Sequence, residues 1–308
     1  QTDHRLRLLY VCPAEGFGGA ERQATVHMKH LPGCGIDVIP VIGPGQVMAR
    51  TLRDAGVTGV YFHDDMPQEY NHPFSIGQYV EYAHETVSGW QSVRRSIRRL
   101  AIIHRADAIF AARTIGWTLA GPLAKVLGIP VIWRGGSRAH HPMARAALAA
   151  FARLYPPSAM VTNCTAVADS LRPLMGGAPF HIVPNGVDVE RFQPDSVVPF
   201  PVSAGPDCLT IGLAARPAPG KGLELLVEML SRLAALSIDV KLLIAGEFGW
   251  RAHYEQLFVQ RGLANQTVFC GHIDRIERFY KACDIVVLPS HERSIEGLSN
   301  SLMEAMAM

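Results

Sequence analysis

Leu209-Thr210-Ile211-Gly212-Leu213-Ala214-Ala215-Arg216-Pro217-Ala218-Pro219-Gly220-Lys221-Gly222 is the stretch on which the fold turns. Leu209–Ala214 is a short apolar run of strand length, two prolines and two glycines punctuate the turn after it, and Gly222–Ala235 has helical periodicity. Downstream the pattern repeats. Val240–Ala245, Val268–Cys270 and Ile285–Leu288 read as strands, separated by helices at Arg251–Arg261 and Ile276–Ala282. Upstream, four prolines fall between Pro194 and Asp207 without periodicity, which reads as a linker. Before it the alternation appears again. Strands are expected at Leu6–Cys12, Ile36–Ile42, Val57–His63, Ala108–Ala112, Val131–Trp133, Met160–Thr162 and Phe180–Val183, with helices at Glu21–Leu31, Gln46–Ala55, Thr118–Leu127 and Ala144–Leu154. Unbroken apolar strands alternating with helices predict parallel sheets covered on both faces. The expectation is an α/β chain of two Rossmann-like doubly wound domains: 1–190, a Pro-rich linker at 191–207, and 208–308. The final Asn300–Met308 is an apolar helix with no glycine or proline stop, so the second domain is expected to be incomplete at its C-terminal end.

With 48% hydrophobic and 18% charged residues, the 308-residue chain has material for two cores and no signature of disorder. A net charge of +2 argues against a nucleic-acid partner. The six cysteines are scattered with no C-x-x-C spacing, which excludes a disulfide framework or a thiolate metal site and fits a reducing compartment. No apolar run reaches the roughly 18 residues of a membrane span, and no basic-then-apolar leader opens the sequence. A soluble, cytoplasmic protein is expected.

Three loops carry candidate chemistry. Glu15-Gly16-Phe17-Gly18-Gly19-Ala20-Glu21 joins the first strand to a helix, where glycines allow close approach and free N–H groups attract anions. It lacks the third glycine of the dinucleotide fingerprint, and a plain strand–helix turn explains it as well. In the stretch quoted first, a nucleotide-triphosphate loop is excluded by Ala215 and Gly222. Lys221 sits at a helix N-terminus, where a cation is disfavoured unless an anion is present. Arg216 and Lys221 together suit a diphosphate; a solvated Arg and Lys stays open. In the third loop, Glu296 and Glu304 flank a helix start. The free amides there suit phosphate oxygens and Glu304 a ribose diol, while Ser301-x-x-Glu304 also fits a capping box.

In order along the chain, Gly18-Gly19-Ala20-Glu21-Arg22, Val183-Pro184-Asn185-Gly186-Val187-Asp188 and Arg216-x4-Lys221-Gly222 resemble motifs of the GT-B glycosyltransferases of family 4. So do Ala245-Gly246-Glu247, Phe269-x-Gly271, Cys283–Ser290 and Glu296-Gly297-Leu298-Ser299-Asn300 through Ala307. The resemblance covers nearly the whole chain. It implies transfer of a sugar from a nucleotide-diphosphate donor with retention of configuration, without a cofactor or metal. It implies Glu296, Arg216 and Lys221 as catalytic residues, with Arg216 and Lys221 on the diphosphate and Glu296 against the donor sugar. Gly18, Gly19, Gly297, Leu298 and Glu304 would bind the donor, Glu304 at its ribose. Asn185 and Asp188 are expected to be structural. Many relatives carry a histidine where this chain has Arg134, which would then contact acceptor or phosphate. Relatives also continue beyond Ala307. An absent Asp-x-Asp motif agrees with metal independence, and Asp64-Asp65 reads as a solvated turn.

The acceptor is expected to be a saccharide or a lipid-linked saccharide, chosen by loops such as Asp64–Ser75. Trp90–Leu100 is a basic amphipathic helix with Val93, Ile97 and Leu100 on one face, either a peripheral contact to anionic lipid or a packed helix with a solvated arginine face. Two other functions remain consistent with the residues: a GT-B-fold sugar-nucleotide epimerase and a non-catalytic nucleotide-sugar-binding subunit.

Overall fold

The computed structural model describes residues 5–13, 18–43, 45–64, 66, 76–137, 142–203, 205–247, 250–291 and 297–308, and of 76–89 the backbone alone. The chain divides into two compact units, Gln1–Gly186 with Ile295–Leu298, and Val187–Ser294 with Ser299–Met308.

The first unit runs β1 (Leu6–Cys12), α1 (Gly19–His30), β2 (Ile36–Ile42), α2 (Gln46–Asp54), β3 (Tyr61–Phe62), α3 (Ile76–Ile103), β4 (Ala108–Ala112), α4 (Arg113–Leu127), β5 (Val131–Gly135), α5 (Pro142–Leu154), β6 (Ala159–Thr162), α6 (Thr165–Leu171) and β7 (Phe180–Ile182). The strands form one parallel sheet in the order β3-β2-β1-β4-β5-β6-β7. Strand order reverses between β1 and β4, so the crevice beyond their carboxyl ends is the place where such sheets bind ligands. Side-chain alternation explains why β1 is apolar throughout. Leu9 and Val11 enter a core shared with Val93, Ile97 and Trp117, while Tyr10 and Cys12 enter a second core with Ala24, Met28, Met48 and Leu52. Trp117 and Trp133 stack with their centroids 5.4 Å apart, and Phe151 continues the stack. Trp117 and Trp133, both buried, each contribute on the order of 2–3 kcal/mol by area.

The second unit runs β8 (Leu209–Ala214), α7 (Leu223–Ala235), β9 (Val240–Ala245), α8 (Arg251–Gln260), β10 (Thr267–Gly271), α9 (Ile276–Lys281), β11 (Ile285–Val286) and α10 (Asn300–Met306). Its parallel sheet has the order β10-β9-β8-β11, with the reversal between β8 and β11. The expected fold class is therefore the one observed: α/β, with two parallel sheets flanked by helices.

Several boundaries differ from expectation. The strand expected at Val57–His63 shortens to Tyr61–Phe62 because the Val57 N–H is taken by Leu52 O at the end of α2. The helix expected from Thr118 begins at Arg113, with Pro122 accommodated inside it. The break between units falls at Gly186–Val187, ahead of the Pro-rich stretch, and that stretch lies along the second unit. Phe192 is buried against Phe279 and Tyr280, and the Phe200 N–H donates to Arg278 O at 2.8 Å.

In α3, Val93, Ile97 and Leu100 are buried in the core as the packed-helix reading requires. Arg94 does not join the solvated face: it is half-buried, donates to Thr118 O at 2.7 Å and lies over the Trp90 ring. Arg95, Arg98 and Arg99 are exposed. Among the described residues, no helix is long and apolar enough to cross a membrane.

One ion-pair cluster holds the second unit's N-terminal segment. Glu277 is 2% exposed and accepts from Arg191 (2.9–3.0 Å) and Arg275 (2.8 Å). Burial pushes its carboxyl pKa up, but the bonds from Arg275, a backbone N–H and Arg191 outweigh that and hold it below the ordinary 4.5. A depressed folded pKa stabilises at neutral pH, and the contribution disappears as pH falls through it. Glu277→Ala, which removes the carboxylate shared by two largely exposed arginines, is expected to cost about 1–2 kcal/mol at neutral pH and much less in acid. Denaturant unfolding of both proteins across the acid range measures this.

Candidate functional site

In the second unit the loop Ala215–Gly222 connects β8 to α7 at the reversal point of the sheet. Backbone bonds tie it to its surroundings. Ala215 N–H donates to Ala245 O (2.9 Å), Trp250 N–H to Pro217 O (3.1 Å) and His291 N–H to Gly220 O (3.0 Å). Gly222 has φ 77°, and a Cβ there would collide with the Pro289 carbonyl, so the loop lies directly on the chain that follows β11. This frame carries Arg216 and Lys221. Arg216 is exposed and, among the described residues, its guanidinium has no hydrogen-bond or ion-pair partner. Lys221 is half-buried, and its ammonium is destabilised first by that burial and then by the nearby charge of Arg216. Two like charges held this close at a helix N-terminus form a site whose unfavourable field an anion would relieve.

Glu304 lies in α10, 8% exposed, and accepts a hydrogen bond from Tyr280 Oη at 3.0 Å. The capping box expected at Ser301 does not form. The helix begins at Asn300 and Ser299 caps it, its Oγ accepting from the Leu302 N–H at 3.4 Å. Glu304 is thus held by a tertiary partner 24 residues away, which no local sequence pattern announces.

The remaining candidates belong to the first unit. Gly18 precedes α1, and its N–H donates to the Glu21 carboxylate at 2.8 Å. The other Glu21 oxygen pairs with Arg113, whose φ of 65° is unusual for a residue with a side chain. Gly19 is the first residue of α1. Gly297 is packed so tightly that an added Cβ would sit 2.6 Å from Asn163 Oδ1, 2.7 Å from Gly136 O and 2.8 Å from Val167 Cγ2. Leu298 O accepts from Asn185 Nδ2 at 3.2 Å. Glu296 and residues 14–17 lie outside the described residues, as does most of Asp64–Ser75. The structure therefore brings Arg216 and Lys221 together on one loop and sets Gly297 and Leu298 against Asn163 and Asn185. Glu304 lies on α10, bonded to Tyr280.

Asn185 is buried and bridges Leu298 O to Arg134 Nη2, the latter at 2.9 Å, while Asp188 Oδ1 accepts the N–H groups of Glu190 and Arg191 in a turn. Arg134 is the penultimate residue of β5 and is 6% exposed. Its charge and, more strongly, burial push His27 down to about 4, so the ring that meets Tyr10 Oη at 3.0 Å is neutral. Among the described residues, no group of three or more His, Cys, Asp or Glu side chains is arranged to hold a metal ion.

Each unit has the doubly wound topology of the glycosyltransferases of GT-B fold, and residues 205–308 match the family model described as "Glycosyl transferases group 1". Among curated proteins, the chain is similar to a putative glycosyltransferase, EpsF, of Bacillus subtilis. The two are 30% identical over 131 residues, covering 41% of this chain and 33% of that one. The chain thus spans about a third of the length of that relative. Among solved structures, a glycosyltransferase from Rickettsia africae superposes with a TM-score of 0.73 at 19% identity, over 99% of this chain and 77% of that one. Anabaena Alr3699/HepE, solved in complex with UDP-glucose, superposes with a TM-score of 0.71 at 17% identity, over 98% and 78%. At these identities the structural likeness establishes the fold.

Proposed function

We propose that this protein is a glycosyltransferase that moves a sugar from a nucleotide-diphosphate donor to a saccharide or lipid-linked acceptor, with retention and without a metal ion. The observation that carries the reading is the pair Arg216 and Lys221, two cations on one rigid loop at the reversal point of the second sheet. Breaking the bond between sugar and diphosphate builds positive charge on the ring and negative charge on the leaving oxygen. Two cations fixed beside that oxygen stabilise it with little reorganisation. Glu296 orients the donor sugar, the Gly297 and Leu298 amides meet phosphate oxygens, and Glu304 accepts from the ribose diol. Gly18 and Gly19 give the donor close access to backbone. The match of residues 205–308 to the glycosyltransferase family and the UDP-glucose held by the HepE protein support this donor class.

A thermal-shift panel of UDP-, GDP- and ADP-sugars tests it, since a ligand bound by the native state raises its melting temperature. One donor class is expected to stabilise the wild type and to lose its effect in Arg216→Ala. No response to any of them would refute the reading. Release of nucleotide diphosphate only when acceptor is present separates transfer from epimerisation, and donor binding without release in any acceptor mixture indicates a binding subunit.

For a lipid-linked acceptor, the exposed Arg95, Arg98 and Arg99 of α3 supply an electrostatic contact to anionic lipid. The apolar face of that helix is spent on the core, so insertion adds nothing. Sedimentation with anionic vesicles is expected at low salt and is abolished at about 0.5 M, where the screening length falls to a few ångströms. Binding that survives such salt would contradict this arrangement.

A further inference from the structure

Glu304 is a carboxylate set among apolar neighbours. It is 8% exposed, and the adjacent Ala305 and Ala307 pack on the core that holds Phe192, Phe279 and Tyr280. Burying a carboxylate is costly unless hydrogen bonds answer it. Tyr280, near the end of α9, supplies one: its Oη donates to Glu304 Oε2 at 3.0 Å, in a bond that is itself buried. The phenol is firmly seated. Tyr280 is 4% exposed, its ring stands edge-on to Phe279 with centroids 5.7 Å apart, and the Phe192 ring lies 6.3 Å away. The Cys283 N–H donates to Tyr280 O at 3.1 Å, fixing the backbone from which the ring projects. A rigid side chain with two rotatable bonds, held in this way, gives its hydroxyl little freedom.

We propose that Tyr280 is a positioning residue that presents the Glu304 carboxylate to the ribose diol of the donor, and so selects ribonucleotides over 2′-deoxyribonucleotides. The proposal rests on the reading of Glu304 as the ribose acceptor given above. A carboxylate accepts about four hydrogen bonds, so a bond from Tyr280 and bonds from a diol are compatible. A phenol is also a suitable anchor. Being neutral, it orients the carboxylate without cancelling the charge that makes its bonds to hydroxyls strong, as a lysine or arginine would. Without the anchor, the Glu304 side chain must be immobilised when the ribose arrives, and that ordering weakens the contact about three- to tenfold.

Calorimetric titration with UDP, GDP and ADP, each against its 2′-deoxy counterpart, tests this. The quantity read is the ratio of the two affinities within a pair. Contacts to the diphosphate and base are common to both members and cancel, as does any loss of folded protein. Damage that is only structural therefore leaves the ratio unchanged. The wild type is expected to prefer the ribonucleotide of one pair by about tenfold or more, the effect of one hydrogen bond to a charged group. Glu304→Ala is expected to abolish that preference. Tyr280→Phe keeps the ring and removes the hydroxyl, and its ratio is expected to fall about three- to tenfold. An unchanged or larger ratio in Tyr280→Phe, with the preference lost in Glu304→Ala, overturns the proposal and leaves the ribose reading of Glu304 standing. Absence of binding or of preference in the wild type, or a preference that survives Glu304→Ala, refutes that reading and the proposal with it. If Tyr280→Phe does not fold, Phe192→Leu loosens the ring's seat while keeping the hydroxyl. Its ratio is expected to fall by a smaller factor, and an unchanged ratio there overturns the proposal.

Discussion

Alanine in place of either Arg216 or Lys221 is expected to lower kcat/KM for sugar transfer by a factor on the order of 10²–10³, the usual effect of removing one preorganised stabiliser of a developing anion. The fold should survive, because neither cation is part of a core. The double variant is expected to lose less than the product of the single effects, since both groups act on one leaving oxygen. Lys221 adds a pH signature. Burial and the charge of Arg216 lower its pKa from the ordinary 10.5, so its proton is lost earlier as pH rises, and activity should fall on the alkaline side. Lys221→Arg keeps the charge at high pH and should remove that alkaline limb while retaining part of the rate. Steady-state kinetics across pH on these variants provide the measurement. A Lys221→Ala enzyme with wild-type kcat/KM would end the assignment of a cationic clamp.

Gly222→Ala is expected to prevent the second unit from accumulating in folded form. Its φ of 77° costs a side-chain-bearing residue about 1–2 kcal/mol, and the new Cβ would run into the backbone carbonyl and ring of Pro289. Displacing the segment that follows β11 adds about 1–3 kcal/mol more. The sum, about 2–5 kcal/mol, is a large part of the 5–15 kcal/mol that holds a typical domain together. Gly220→Ala is the control: its φ is 88°, yet among the described residues nothing lies within 4 Å of the new Cβ, so only the backbone term of about 1–2 kcal/mol applies. Denaturant unfolding of the two variants separates steric collision from backbone preference. Equal losses in both would show that Pro289 yields.

What the sequence discloses here depends on how local the determinant is. Strands buried on both faces, such as β1 and β8, stand out as unbroken apolar runs, and the glycines and prolines between Gly212 and Gly222 mark a loop whose cations are five residues apart. Edge elements are less legible: β3 is cut short by a hydrogen bond closing α2, and β11 is formally two residues, although the Val287 N–H still reaches Gly212 O at 2.9 Å. Prolines between 194 and 207 suggest a free linker, but Phe192 and the backbone of Phe200 find partners that only the fold supplies. The same holds for the site. Glu304 meets Tyr280, Glu21 meets Arg113 and Arg134 meets Asn185 across 24, 92 and 51 residues, respectively, pairings that no spacing rule encodes. Arg134 is visible as a departure from the family pattern; its bond to Asn185 is not.

Gly297 and Leu298 pack with the first unit although the chain on either side of them folds with the second. A cut of the polypeptide between Gly186 and Val187 would therefore not yield two self-sufficient proteins. The upstream fragment would keep Asn163 and Asn185 but lose the short strip that seals them, and the downstream fragment would carry that strip with nothing to seat it. Mixed together, the fragments have a reason to recombine without a covalent link, and the strip is the piece that would dock.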